Sequence, residues 1–251
     1  MDLGLKKKIV LVTGSTKGIG FTIAKSFYDE GSQVIINSRH VSELKKKSKE
    51  IGDKCDFISG DLKILKDCNE ISKKIKSKYG KLDILICNVG NGTSKIPGKE
   101  EPKDLNDMIN TNLFSATNIV YSTKNLLEKS KGSIVCISSI AGIETIGAPI
   151  GYSVGKAALN SFVKNISKPL GKKGIRVNVV APGNIYFKNS VWDKKLKKNK
   201  KFVENMLKKE VALNRLGTPE DVSSIVNFLS SEKASFITGS MIIVDGGQIK
   251  S

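Results

Sequence analysis

The sequence predicts an α/β fold, a doubly wound, seven-stranded parallel sheet with helices on both faces, and three observations predict it. Seven short apolar runs rich in Val and Ile are bounded by Gly, Pro or Ser, as buried parallel strands are. Segments with helical spacing stand between them on short connections, and such crossovers are right-handed and cover both faces of a sheet. The first crossover opens on a glycine-rich turn, Gly14-Ser-Thr-Lys-Gly18-Ile-Gly20.

In chain order, Lys8 to Thr13 reads as the first strand and Phe21 to Glu30 as its helix. Glycines in the turn between them let the backbone approach a pyrophosphate, whose charge sits well at a helix amino terminus. Gln33 to Ser38 is the second strand and ends in Ser38-Arg39. An acidic residue at that strand end would hold the ribose 2′-hydroxyl of NAD; a guanidinium there suits a 2′-phosphate, and Lys17 adds a second positive charge, so NADP is favoured over NAD. Val41 to Ile51 reads as a helix, Cys55 to Ser59 as a strand that leads to Asp61, and Leu62 to Tyr79 as a helix. Leu82 to Cys87 is a strand stopping at Asn88-Val89-Gly90, and Pro102 to Lys129 is one long helix with Asn112, a poor helix former, inside it. Gly132 to Ser138, Gly174 to Ala181 and Ser240 to Gly247 complete the strands, and Thr218-Pro219-Glu220-Asp221 opens a helix. Ligands of such sheets lie beyond the strand carboxyl ends, so Gly14, Arg39, Asp61, Asn88 and Ser139 are expected around one crevice.

The chemistry is expected between Gly132 and Asn160. Tyr152 and Lys156 stand four residues apart on a helix and so share one face. An ammonium beside a phenol favours the phenolate and lowers the phenol pKa from about 10 toward neutrality, which makes Tyr152 a proton donor and acceptor. Ser139, at the end of the preceding strand, is placed to donate to an oxygen on which charge develops. The spacing alone is a weak signal, since five tyrosines in so lysine-rich a chain supply about one Tyr-x-x-x-Lys by chance. The plain alternatives are a half-buried aromatic, one more surface lysine and a strand-end hydroxyl.

Composition narrows the classes. A chain of 251 residues forms one domain with a large core. Four cysteines, widely separated and without Cys-x-x-Cys, read as reduced thiols in a cytoplasmic protein, and a single histidine, His40, leaves no multi-histidine metal site and argues against a Ser-His-Asp triad. No apolar run approaches the ~18 residues of a membrane span, so a soluble, unexported protein is expected. The net charge of +18 invites a nucleic-acid partner, but the basic residues are Lys apart from Arg39, Arg176 and Arg215 and are spread along helix faces, where solvated charge sits. Residues 184–213 form a polar, lysine-laden excursion with scattered aromatics, read as a mobile substrate cover or, in the plainer reading, a surface helical hairpin.

Taken together, Thr13-Gly14-x-x-x-Gly18-x-Gly20, Asn88-x-Gly90, Asn112, Ser139, Tyr152 with Lys156, Pro182-Gly183 and Asp245-Gly246-Gly247 resemble, in order and over essentially the whole chain, the short-chain dehydrogenase/reductase family. Within it the chain looks most like the 3-oxoacyl-carrier-protein reductases. The resemblance implies one NAD(P)-binding Rossmann domain over 1–251 and a small-molecule carbonyl or alcohol substrate, carrier-linked or free. It implies a homotetramer or homodimer formed through the helices that hold Asn112 and Tyr152. By the same resemblance Tyr152 protonates the alkoxide, Lys156 lowers the Tyr152 pKa and holds the nicotinamide ribose, Ser139 polarises the carbonyl, and Asn112 holds a water that relays protons to Lys156. The cofactor would meet Gly14, Ser15, Thr16, Lys17, Gly18, Ile19 and Gly20 in the turn, Ser38 and Arg39, Asp61 and Leu62, Asn88 and Gly90, Tyr152 and Lys156, and Pro182, Gly183 and Ile185. One departure stands out: where many members carry a Thr that touches the cofactor soon after Pro-Gly, this chain reads Asn184-Ile-Tyr-Phe187, leaving that contact missing or supplied by Ser190. Asn88-Val-Gly-Asn-Gly, Pro182-Gly-Asn-Ile and Asp-Gly-Gly-Gln248 are similar to a subgroup associated with bacterial surface-sugar and flagellin modification, which gives a sugar-type substrate as the alternative. A cofactor-sensing protein without turnover is the further alternative, and the complete set of Asn112, Ser139, Tyr152 and Lys156 argues against it.

Overall fold

A computed structural model of the chain describes residues 2–250, so the first and last positions of the expected domain lie outside the described residues. The central strands are apolar runs because both their faces are covered. In β1 (Ile9–Thr13), Ile9 and Leu11 point into one core cluster and Val10 and Val12 into the other, as the two-residue period of a strand requires. The helices α1 (Gly18–Asp29) and α2 (Val41–Ile51) follow β1 and β2 (Gln33–Ser38) and share the second cluster. After β3 (Asp56–Ser59), helix α3 (Leu65–Tyr79) lies on the opposite face, where Cys68, Ile71 and Ile75 enter the first cluster. The seven strands run parallel in the order β3-β2-β1-β4-β5-β6-β7, with β4 (Ile84–Cys87) beside β1. Strand order therefore reverses between β1 and β4, and the carboxyl ends of those two strands mark the crevice.

The expected helix from Pro102 to Lys129 is not continuous. It comprises α4 (Pro102–Ile109), a π turn over Asn110–Phe114, and α5 (Ser115–Ser130). The Asn112 side chain donates to the Met108 carbonyl at 3.0 Å and to the Asn91 carbonyl at 3.1 Å, so the widened turn is held by the residue least suited to a regular helix. Helix α3 starts at Leu65 rather than Leu62 because carboxylates organise the turn before it: Asp61 accepts from the Lys63 amide at 3.0 Å and Asp67 from the Asp61 amide at 2.9 Å.

Beyond β5 (Ser133–Ile137), helix α6 (Ile150–Gly171) packs on β6 (Arg176–Pro182), and α9 (Pro219–Ser230) and β7 (Met241–Val244) close the fold. The excursion at 184–213 is ordered as a helical hairpin, α7 (Val191–Lys198) and α8 (Lys200–Glu210). It has a small core of its own, where Val203, Met206 and Val211 pack with Trp192, Leu196, Leu207 and Leu216. Among the described residues no helix is long and apolar enough to cross a membrane, and all four cysteines are buried free thiols.

Candidate functional site

The glycine turn joins β1 to α1 and is braced by its neighbours. Gly14 at φ +59° and Gly18 at φ +54° take the left-handed region that glycine enters without strain. A Cβ on Gly20 would stand 2.4 Å from Asn88 Nδ2 and 2.6 Å from the Gly14 carbonyl oxygen, so only glycine allows α1 to start this close to β4. Asn88 donates through Nδ2 to the Thr13 and Gly14 carbonyls, both at 3.0 Å, and its amide donates to Thr13 Oγ1 at 2.9 Å. Ser15 is spent inside the framework: its hydroxyl donates to the Val12 carbonyl at 2.7 Å and accepts from the Asn37 amide at 3.1 Å. Thr16 is buried beside it, whereas Lys17 is exposed and precedes α1 without capping it through its side chain. The first amides of α1 are therefore available to an anion, and the turn, the close approach of Gly20 and the β1–β4 switch point fit a dinucleotide.

At the far end of the crevice Arg39 Nη1 lies 3.8 Å from Asp61 Oδ2, with Lys63 Nζ at 3.9 Å from the same oxygen. Arg39, Ser59, Gly60, Asp61, Asp67 and Glu70 line a cavity of about 330 Å³ there. Ser38, the last residue of β2, pairs with Ser59 of that lining. The Leu62 side chain is buried in the core and its carbonyl is taken by Asn118 Nδ2 at 3.0 Å. A contact to a bound ligand at this position would thus fall to its backbone amide.

The candidate catalytic corner lies where β4, β5, α6 and the π turn meet. Ser139 is extended and caps the short turn Ile140–Gly142: its hydroxyl oxygen accepts from the Ala141 amide at 3.2 Å. The Tyr152 phenol lies close enough to the same hydroxyl for Ser139 to bear on its proton affinity. Lys156 is buried, and its ammonium donates to the Ile137 carbonyl at 2.8 Å. Gly90 is the point at which these groups converge, since a Cβ there would meet Lys156 Nζ at 2.9 Å and Asn112 Oδ1 at 3.0 Å. Asn112 is fully buried, and its amide clamps Asn91 at both backbone groups: Oδ1 accepts from the Asn91 amide at 3.0 Å and Nδ2 donates to its carbonyl. Asn91 entered the sequence reading only inside the run Asn88-Val-Gly-Asn-Gly, without a role of its own; nothing in its type or spacing points to this clamp.

The electrostatics correct one expectation. The Tyr152 phenol is pushed up from 10.0, because burial penalises the phenolate and the neighbouring Ser139 hydroxyl only partly offsets that. Lys156 does not acidify it in this arrangement, since its Nζ is 5.9 Å from the ring centroid and turned to the Ile137 carbonyl. Lys156 itself is brought down from 10.5 to about 8 by burial, with Cys136 and Cys87, paired across β4 and β5, acting the other way. Through the neutral range Tyr152 is a phenol and therefore a proton donor, and Lys156 is the group that titrates nearest neutrality.

The remaining motifs hold the other wall. A Cβ on Gly183 would stand 2.7 Å from Asp245 Cβ, so Pro182-Gly183 and Asp245-Gly246-Gly247 pack together. Asp245 orders the tail by accepting from the amides of Gly247, Gln248 and Ile249. The Leu213 amide donates to the Gly246 carbonyl at 2.9 Å, which ties the end of the hairpin to that tail. Ile185 pairs with Gly217 through the Tyr186 amide and the Asn184 carbonyl rather than through its own amide and carbonyl, which have no partner among the described residues. The Ser190 hydroxyl oxygen caps α7, accepting from the Asp193 amide at 3.0 Å, so it is committed to the hairpin. Phe187 instead points back at the glycine turn, with its ring against Gly18. The sequence placed it among the scattered aromatics of the excursion and at the end of the Asn184-Ile-Tyr-Phe187 run, without a role of its own.

The chain is similar to known proteins over nearly its full length. The family described as Enoyl-(Acyl carrier protein) reductase matches residues 14–248. The 3-oxoacyl-acyl-carrier-protein reductase of Chlamydia muridarum is 34% identical over 98% of this chain and 99% of its own. A tropinone reductase homologue of Arabidopsis thaliana is 36% identical over 97% of this chain and 91% of its own. Among solved structures, L-sorbose reductase from Gluconobacter frateurii, complexed with NADPH and L-sorbose, covers 100% of both chains at a TM-score of 0.93 and 26% identity. With the glycine turn, the Ser139–Tyr152–Lys156 corner and the paired Pro-Gly and Asp-Gly-Gly motifs on one crevice, the chain belongs to the short-chain dehydrogenase/reductase family and is an oxidoreductase acting on CH–OH and C=O groups.

Proposed function

We propose that the protein is an NADPH-dependent reductase of 3-oxoacyl thioesters, carrier-linked or free. The observation that carries this reading is the placement of the Tyr152 phenol beside Ser139, with the buried Lys156 ammonium and Asn112 converging on Gly90 just beyond β4. The curated relatives named for 3-oxoacyl-carrier-protein substrates support the substrate class. A bound reduced nicotinamide would supply the hydride. Ser139, already oriented by the Ala141 amide, donates to the substrate oxygen as charge develops on it. Tyr152 gives its proton to that oxygen, and its raised pKa keeps the proton available at neutral pH. The Lys156 ammonium, buried near the phenol and held by the Ile137 carbonyl, lies on the route by which a proton returns to Tyr152. Asn112 positions this corner by fixing Asn91 and the loop after β4. The turn residues from Gly14 to Gly20, with Asn88, Gly90, Pro182, Gly183 and Ile185, hold the dinucleotide, and Arg39 with Lys17 receives its 2′-phosphate.

In this reading residues 1–251 act as one cofactor-binding domain, and 184–213 covers the substrate as a hinged helical unit. The protein works in the cytoplasm as a homotetramer or homodimer. Support for the assembly is the apolar surface on the helices of the site, where Phe114, Tyr121, Ile150 and Val154 are 42–54% exposed. A sugar-type substrate is the second reading, favoured by the full-length likeness to L-sorbose reductase. Following cofactor oxidation with a 3-oxoacyl thioester and with a panel of ketoses decides between them. Preference for the thioester is expected; turnover of ketoses alone would replace the first reading by the second.

A further inference from the structure

Phe187 closes the Asn184-Ile-Tyr-Phe run beyond β6, and its ring reaches back across the crevice. A Cβ on Gly18 would stand 2.5, 2.6 and 2.9 Å from Phe187 Cζ, Cε2 and Cε1, so the end of the ring rests on the first residue of α1. That is where the outward-facing amides of the helix begin, the seat a pyrophosphate would take. A phenyl edge offers no partner for phosphate oxygens, so the ring and the anion compete for one surface.

The ring is anchored from behind. The Ser190 amide donates to the Phe187 carbonyl at 2.9 Å and the Phe187 amide donates to Ser190 Oγ at 3.3 Å. Ser190 caps α7, and the Asp193 carboxylate on that helix accepts from the Asn189 amide and from Lys197 Nζ, both at 2.8 Å. Asn189, inside this turn, holds a left-handed φ of +66°. The turn is therefore stiff and joined to the hairpin, while the ring itself is only partly buried.

We propose that Phe187 is a cofactor-gating residue, an aromatic plug on Gly18 that the pyrophosphate must displace before the dinucleotide is seated. The proposal rests on the dinucleotide reading above. A ring that occupies the seat most of the time lowers the apparent affinity by the fraction of molecules in which the seat is clear, roughly threefold to tenfold for a seat clear a third to a tenth of the time.

The test is direct binding by calorimetry, with three ligands and three variants. NADPH and 2′-phospho-ADP-ribose carry the pyrophosphate; adenosine 2′-monophosphate does not. Phe187→Ala and Phe187→Thr should bind the first two roughly threefold to tenfold more tightly than wild type and leave the third unchanged. Phe187→Leu, which keeps apolar bulk but reaches less far, should show a smaller gain with the same selectivity. Unchanged or weaker binding of the pyrophosphate ligands, or an equal gain for all three ligands, would overturn the plug. A wild-type protein that bound none of the three would overturn the dinucleotide reading as well, so the two failures are distinguishable.

Discussion

The two ends of the crevice are built on opposite electrostatic terms. At the candidate catalytic corner Lys156 is 3% exposed and Asn112 not at all, and their polar atoms have buried partners: Lys156 the Ile137 carbonyl, Asn112 both backbone groups of Asn91 and the Met108 carbonyl. At the other end the Arg39 side chain is 61% exposed and its ion pair to Asp61 spans 3.8 Å. Burial sets proton affinities in the first region; solvent screens the charges of the second. Single substitutions at the corner should therefore change rate by orders of magnitude, and those at the open end should change affinity a few-fold.

The largest effect is expected for Tyr152→Phe. Removing the proton donor while keeping the ring should lower kcat/KM by roughly 10² to 10⁴-fold with cofactor affinity retained, the usual weight of a positioned general acid. Turnover at the wild-type rate would show that another group delivers the proton, and the corner would lose its special standing. Gly90→Ala comes next. The new Cβ would meet the free end of Lys156 and the Asn112 amide, both of which can yield slightly, so the chain should still fold. A displacement of less than an ångström at the ammonium should nonetheless cost about 10- to 100-fold in turnover. An active Gly90→Ala enzyme would mean that the position of Lys156 is not critical.

How much of this comparison was legible in the sequence follows the same division. The glycine turn, Asn88 and the seven strands were readable because they depend on local spacing and on apolar runs that must be covered on both sides. The four residues of the corner were placed by their order along the chain. The direction of the Tyr152 pKa was not, because it depends on how much water reaches the phenol and on where the ammonium turns, and both are products of tertiary packing. The π turn left a trace in the sequence, an Asn where a helix former belongs. Helices α7 and α8 left little, because their apolar residues serve a core of three buried side chains rather than one of the two main clusters.

Lys156 sharpens the comparison through stability. The drop of its pKa from 10.5 to about 8 corresponds to roughly 3 kcal/mol of burial cost on the charged form. Because the unfolded chain holds that proton up to higher pH, the cost is present in full below about 8 and fades as pH rises toward the unfolded value. Lys156→Met removes the cost but orphans the Ile137 carbonyl, a loss of about 1 to 3 kcal/mol. The variant should be inactive, at least as stable as wild type at pH 7, and less stable than wild type above pH 10, as read by denaturant melts across pH. A stability difference that does not vary with pH would mean that the amine is not desolvated. In the active enzyme, kcat/KM for the cofactor reports the free protein and should fall as pH rises through about 8, where the ammonium is lost.

The smallest effect belongs to the open end. Arg39 is the cation best placed for a 2′-phosphate, yet it is solvated and already shared with Asp61, so a bound phosphate replaces both water and a weak pair. Arg39→Ala should weaken NADPH binding roughly threefold to tenfold and leave NADH unchanged, and the loss should shrink as salt is raised because exposed charges are screened within about 10 Å at 0.1 M. Equal losses for both dinucleotides would remove Arg39 from phosphate recognition. A loss of a hundredfold or more, insensitive to salt, would instead mean that the guanidinium becomes enclosed when ligand binds, and that the two ends of the crevice resemble each other in the working enzyme far more than they do in the free protein.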